Sequence, residues 1–224
     1  MIPKREVTLT FSRDKSLSII DISPSIHEAI AVWPGDQVFK RKYSMSLRNG
    51  DNIDLSQITT SLHLGSHADS PSHYSSPGIG IDEVPLHYYN GLCQVIQVAT
   101  SKGKRIYPED INVEIEASRV LFKTDTYPNP NVFNTDFCSL SKDLVTYLGD
   151  KGVILIGIDT PSVDLYHDKI LESHHALLEK NIMNIEGLVL DTVRPGLYTL
   201  FASPLKIEGA DAAPLRAILV ENLL

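Results

Sequence analysis

Ser139-Leu-Ser-Lys-Asp-Leu-Val-Thr-Tyr-Leu148, then Gly149, then Gly152-Val-Ile-Leu-Ile-Gly157, is the stretch that sets the fold class. In its first half Leu140, Leu144, Val145 and Leu148 recur at helical spacing and share one face, with Gly149 as a stop signal. In its second half four apolar residues, mostly β-branched, stand in a row between glycines. That run is too short for a helix and lacks the alternation of a half-exposed strand, so it reads as a strand covered on both faces. A helix feeding a doubly covered strand is the building unit of an α/β domain.

The reading extends outward from there. Residues 18–22, 94–98, 119–123 and 217–220 are further short, β-branched runs bounded by polar residues, and they read as strands. Ser173 to Lys180 reads as a second short helix, with Asn181 as its C-cap. No repeat, low-complexity segment or Pro/Gly-rich linker divides the chain. The expectation is one α/β domain over 1–224, richer in strand than helix, with 1–16 as an N-terminal extension or an edge strand. At 224 residues such a domain buries roughly 70% of its unfolded surface and needs no staple.

Composition narrows the function classes. Hydrophobic residues make up 42% and charged residues 21% of the chain, as in soluble globular proteins. Lys and Arg number 20 against 28 Asp and Glu, and no basic block stands out, so nucleic acid is not an expected partner. No run approaches the roughly 18 apolar residues of a membrane span, and no signal-peptide core follows Met1. Cys93 and Cys138 form no Cys-x-x-Cys pair and read as small buried hydrophobes. These features point to a reduced, soluble protein of the cytoplasm. Gly-x-Ser-x-Gly, Walker and dinucleotide-binding motifs are missing, which removes serine-hydrolase and nucleotide-dependent readings.

The chemistry concentrates in Ser61-Leu-His63-Leu-Gly-Ser-His67-Ala-Asp69-Ser-Pro-Ser-His73. In extended chain, positions i and i+2 face the same side, so His67 and Asp69 address one point. Gly65 permits an unusual backbone turn between His63 and His67. Pro71 holds Ser70 extended and then bends the path, which can return His73 to the same pocket. Imidazole with carboxylate suits zinc, manganese or iron(II), and a ligand set without Cys suits a catalytic site. A second group is Ser173-His174-His175 with Glu186 further on. Helical geometry lets only one of the adjacent histidines face a given point. Glu186 lies in an apolar run and is either buried with a partner or a strand-end residue reaching solvent. Trp33, in Trp33-Pro-Gly-Asp36, reads by itself as a core residue. Asp159 either ends a strand at a site or caps a turn. His27, His87 and His167 lack partners in sequence and read as structural or exposed.

His63-x-x-x-His67-x-Asp69-x-x-x-His73 resembles the histidine signature of the metal-dependent cyclase-like hydrolases. Trp33-Pro-Gly-Asp36, Gly157-Ile-Asp-Thr-Pro-Ser-Val-Asp164, His174-His-Ala-Leu-Leu178 with Glu186-Gly-Leu188, and Gly209-Ala-Asp211 before Pro214-Leu-Arg216 extend the resemblance to the formamidase branch of that family. The resemblance implies an α/β fold with a central mixed, partly barrel-like sheet flanked by helices, and a homodimer. It implies zinc bound by His63, His67 and Asp69, and a second zinc bound by Asp69, His174 and Glu186, with Glu186 reaching both; manganese is the alternative metal. It makes His73 the proton-transfer residue and Trp33 a substrate contact, against the reading of Trp33 alone. The implied reaction is an amidohydrolase (arylformamidase) step on a linear amide, N-formyl-L-kynurenine to L-kynurenine and formate, in tryptophan degradation. An isatin-hydrolase-like action on a cyclic amide is the alternative. A non-catalytic metal-binding protein is disfavoured, because a metal store needs no His73. Ser66 stands where the family has Thr, Ala212-Ala213 where it tends to Gly-Ser, and Leu165 where Pro is frequent. None of these removes a ligand.

Overall fold

The computed structural model describes residues 18–221. The reading of 1–16 as an extension or edge strand therefore lies outside the described residues. In chain order the strands are β1 (Ile19–Asp21), β2 (Lys40–Met45), β3 (Leu55–Thr59), β4 (His67–Asp69), β5 (Asn90–Gln97), β6 (Arg105–Ile106), β7 (Arg119–Lys123), β8 (Ser139–Leu140), β9 (Leu155–Ile158), β10 (Met183–Glu186), β11 (Gly196–Phe201), β12 (Ala212–Pro214) and β13 (Ile218–Val220). The helices are α1 (Lys142–Asp150) and α2 (Glu172–Lys180).

Nine strands form one sheet in the order β1-β13-β11-β5-β7-β9-β10-β4-β12. Its centre, β5-β7-β9-β10, is parallel, and both wings are antiparallel. The sheet curls into a half-barrel, as expected of a mixed, partly barrel-like sheet. Side chains alternate across its strands. Val120 and Phe122 of β7, with Ile156 and Ile158 of β9, pack under Leu144, Val145 and Leu148 of α1 and Ala176 and Leu177 of α2. Leu121, Leu155, Cys93 and Ile185 point the other way, into a second core where Tyr89, Leu200 and Leu219 join them. Both helices thus cover the same face of the central strands. Both cysteines are free and buried, as their isolation in sequence suggests.

The structure moves one helix boundary. Ser139 and Leu140 are not helical but form β8, paired with β6. Ser141 is the N-cap, its hydroxyl accepting the Leu144 N–H at 3.1 Å, so the helix begins at Lys142 and runs on to Asp150. A side-chain oxygen that satisfies an orphan N–H is worth about 1 kcal/mol, enough to fix the start two residues inside the apolar pattern. Asn181 closes α2 in the left-handed conformation, as predicted. Among the described residues no helix is long and apolar enough to cross a membrane.

Candidate metal centre

β10 carries the inward–outward alternation into the site. Met183 and Ile185 join the core on the face away from the helices, so Asn184 and Glu186 project to the helix-covered face. β4 pairs with β10 antiparallel, Ile185 opposite Ala68 and Glu186 opposite His67. Ala68 lies in the same core, which turns His67 and Asp69 to the face of Asn184 and Glu186. α2 lies over that face and delivers His174, which is buried, while His175 points to solvent. Glu186 is only 3% exposed, which closes the solvent reading left open by sequence.

Backbone detail sets the loop histidines. Gly65 has φ +59, and its carbonyl accepts the Nδ1–H of His67 at 3.0 Å. Gly187, at φ +66, lies so close to Gly65 that a Cβ would stand 2.2 Å from the Gly65 carbonyl oxygen. Ser66 hydroxyl donates to the Gly187 carbonyl at 2.8 Å, tying the two loops together. Ser70 is extended, and Pro71–His73 forms a short turn that brings the His73 ring to 4.3 Å from the His63 ring, centroid to centroid.

All three inner imidazoles are fixed through their outer nitrogens. His67 is tied to Gly65, His174 Nδ1 lies 2.8 Å from Asp164 Oδ2, and His63 Nε2 lies 3.0 Å from Asp211 Oδ2. Each ring therefore turns a nitrogen lone pair inward, the tautomer a metal ligand needs. His67 Nε2 faces Asp69 Oδ1 at 3.5 Å and Glu186 Oε2 at 3.4 Å. His174 Nε2 faces Asp69 Oδ2 at 3.4 Å and Glu186 Oε1 at 3.7 Å. His63 Nδ1 stands 3.0 Å from Asp69 Oδ1. Yet His67 Nε2, His174 Nε2 and Asp69 Oδ1 are buried without a hydrogen-bond partner, so these short separations are not aligned hydrogen bonds. Lone pair facing lone pair in a buried pocket is costly unless a cation lies between them. The donor set fits a divalent metal on that ground.

The electrostatics agree. Burial opposes a charge on His67 and His174, but the carboxylates of Asp69 and Glu186, with Asp164 behind His174, outweigh it and push both imidazoles up to about 10. Burial also opposes the Asp69 carboxylate, whose contacts to His174, His63 and His67 nevertheless hold it well below its ordinary range. The pocket thus demands positive charge. His73 behaves differently, because burial holds its imidazole below the ordinary value. Its Nδ1 lies 3.6 Å from Asp211 Oδ2. The structure also allows a second grouping, since His63, Asp69 and His73 offer ligand atoms within 4.8 Å of one another, as do His67, Asp69 and Glu186.

The centre sits in the floor of a cleft of about 350 Å³. Trp33, Tyr127 and Phe133 line its wall, with Leu188 and four prolines of the loops alongside. Trp33 is 37% exposed and packs edge-on to Phe133 at 5.4 Å and against Tyr166 at 5.1 Å, so it is a wall residue and not the core residue that it resembles in isolation. Asp159 lines the cleft too, but its carboxylate is spent on the N–H groups of Thr124 and Asp125 and the Thr124 hydroxyl, which is the turn-capping alternative. His27, His87 and His167 are exposed and none of them lines the cleft.

Residues 20–165 match the cyclase family model. The chain belongs to the cyclase family. A kynurenine formamidase of Salinibacter ruber is 41% identical over 208 residues, spanning 91% of this chain and 97% of the relative. A kynurenine formamidase of Bordetella petrii is 39% identical over 203 residues, with 90% and 97% covered. The fold superposes on a solved structure described as a potential metal-dependent hydrolase with cyclase activity, at 28% identity and TM-score 0.80, covering 93% of this chain and all of that one.

Three site residues carry no role in the sequence reading. Asp164 is fully buried and accepts the N–H groups of Ser173 and His174 as well as His174 Nδ1, so one carboxylate both caps the start of α2 and orients its histidine. Arg105 Nη1 backs it at 3.0 Å. Asp211, placed by the β12–β4 pairing, orients His63. Asn184 is taken up below.

Proposed function

We propose that this chain hydrolyses N-formyl-L-kynurenine to L-kynurenine and formate in tryptophan degradation. The observation that carries the reading is the pair of bare, inward imidazole nitrogens of His67 and His174, with His63 beside them, around two buried carboxylates, Asp69 and Glu186, beneath an aromatic-walled cleft. The relatives named kynurenine formamidase, aligned over nearly their whole length, support the choice of amide.

In this reading His63, His67 and Asp69 hold one zinc ion, and Asp69, His174 and Glu186 hold a second, with Glu186 reaching both. Such ions supply an acidified water and positive charge at a developing oxyanion. The protein's own groups do the rest. Trp33, Phe133 and Tyr127 grip the aryl ring and exclude water from the floor. His73 passes a proton to the aryl nitrogen as the bond from formyl carbon to that nitrogen breaks and the water oxygen remains on formate. An imidazole that burial holds below its ordinary value is suited to exchange that proton.

We also place the enzyme in the cytoplasm as a homodimer. Two free, buried cysteines accord with a reducing compartment. The β2–β3 hairpin supports the dimer. Both of its strands are exposed along almost their whole length, with Tyr43, Leu55 and Ile58 about half exposed or more. A lone two-stranded hairpin is marginal in water, and a second copy of the chain would cover it.

The test is formate release from N-formylkynurenine, beside isatin, with and without a chelator. Formate should appear, vanish on chelation and return with zinc. Turnover of isatin alone would establish the cyclic-amide alternative, and turnover of neither would sink the hydrolase reading. Trp33→Ala should raise KM roughly tenfold, the loss of about 1.5 kcal/mol of aromatic contact, at unchanged metal content. Kinetics like those of the wild type would return Trp33 to a purely structural role.

A further inference from the structure

Asn184 is fully buried, and its Nδ2 donates to Asp69 Oδ2 at 2.7 Å and to Glu186 Oε1 at 3.0 Å. Its Oδ1 has no partner. The amide orientation is compelled by chemistry, since the reversed amide would aim an oxygen lone pair at two carboxylates. The two oxygens it holds are the pair that faces His174 Nε2. Glu186 Oε1 takes a further hydrogen bond from the Val163 N–H at 2.9 Å. The other oxygens of the same carboxylates, Asp69 Oδ1 and Glu186 Oε2, face His67 and receive nothing from Asn184.

We propose that Asn184 is a positioning residue that clamps Asp69 and Glu186 together for the His174 metal position, which is the weaker of the two and the one that depends on the clamp. This rests on the two-metal reading above. The Val163 N–H already satisfies Glu186 Oε1 and lowers what that oxygen gains from a cation, whereas Asp69 Oδ1 is satisfied by nothing else. At the same time the clamp holds Oδ2 and Oε1 in one place for His174, which two free carboxylates of like charge would not do unaided. Both effects fall on the His174 side. The His67 side takes its order from His63, His67 and the Gly65 carbonyl instead.

The experiment is zinc titration of the metal-free chain against a chromophoric competitor, repeated with cobalt(II) to follow ligand-field absorption. The wild type should fill in two steps of different affinity. His67→Ala should remove the tight step and His174→Ala the weak one. Asn184→Leu, close in size, should keep the tight step and weaken the other roughly 10–100-fold, the usual cost of losing an outer partner of a metal ligand. Wild-type filling in a single step would overturn the inequality even if Asn184→Leu fails to fold. Two steps in Asn184→Leu like those of the wild type would overturn the clamp. A wild type that binds no zinc or cobalt would overturn the metal centre and the clamp with it.

Discussion

Asp69→Asn should empty the metal centre and bring formate release down to background. The argument is one of shared atoms. Asp69 Oδ1 faces His63 and His67, and Oδ2 faces His174, so a single carboxylate serves both metal positions. Asparagine fills the same volume, but one of its two terminal atoms becomes an N–H donor that repels a cation. The loss of a charged, shared ligand should exceed the roughly 10–100-fold cost of losing an outer partner. The fold should survive, since Asp69 lies in β4, whose pairing with β10 and β12 is backbone-made. Far-UV circular dichroism, elemental analysis and the formate assay check the three parts separately. The distinguishing control is rescue. Chelated wild type should recover with added zinc, and Asp69→Asn should not. A variant that keeps two ions per chain would sink the assignment of Asp69 as the bridge.

That His67 and Asp69 address one point was legible in sequence because it obeys a local rule. His67 and Asp69 are two apart on an extended segment, and the strand that realises this, β4, needs only three residues to do so. The same period of two joins Asn184 to Glu186 on β10, and a polar residue two before a carboxylate in an apolar run was the available signal for it. Asp164 offered no such signal. It reaches His174 across ten residues by capping the first turn of α2, a contact set by tertiary structure and not by spacing. The strands that carry the site or its rim were also hard to read. His67-Ala-Asp69 and Ala212-Ala-Pro214 are too short for a strand pattern, the second ending in Pro, and Lys40 to Met45 is mostly hydrophilic. The central strands were legible because burial on both faces demands unbroken apolar runs, as Arg119 to Lys123 and Leu155 to Ile158 show. The fold's core could therefore be read from patterning, and the shared facing of His67 and Asp69 from spacing. The order of the antiparallel wings depended on partners far away in the chain.

The second large effect separates a ligand from a proton carrier within one motif. His73→Ala should keep the metal and lose turnover by roughly 10²–10⁴-fold, the range for a lost general acid–base. His67→Ala should lose metal first and activity as a consequence. The geometry distinguishes them. His67 is 2% exposed and its inner nitrogen is bare against Asp69 and Glu186, so nothing else can replace it there. The His73 side chain is 36% exposed at the mouth of the centre, with Nδ1 turned toward Asp211, which leaves its other nitrogen open to a bound substrate. The contest is close enough to need the experiment, because His73 also lies within ligating reach of His63 and Asp69. Leaving-group dependence decides it. A proton delivered to the departing aryl nitrogen matters most when that nitrogen is a poor leaving group. Across a series of ring-substituted formanilides, the loss caused by His73→Ala should shrink as the ring becomes more electron-withdrawing. A ligand lost from the metal would instead slow every member of the series by the same factor, and zinc content would fall with it. Equal losses across the series, or zinc leaving His73→Ala as readily as His67→Ala, would make His73 a ligand.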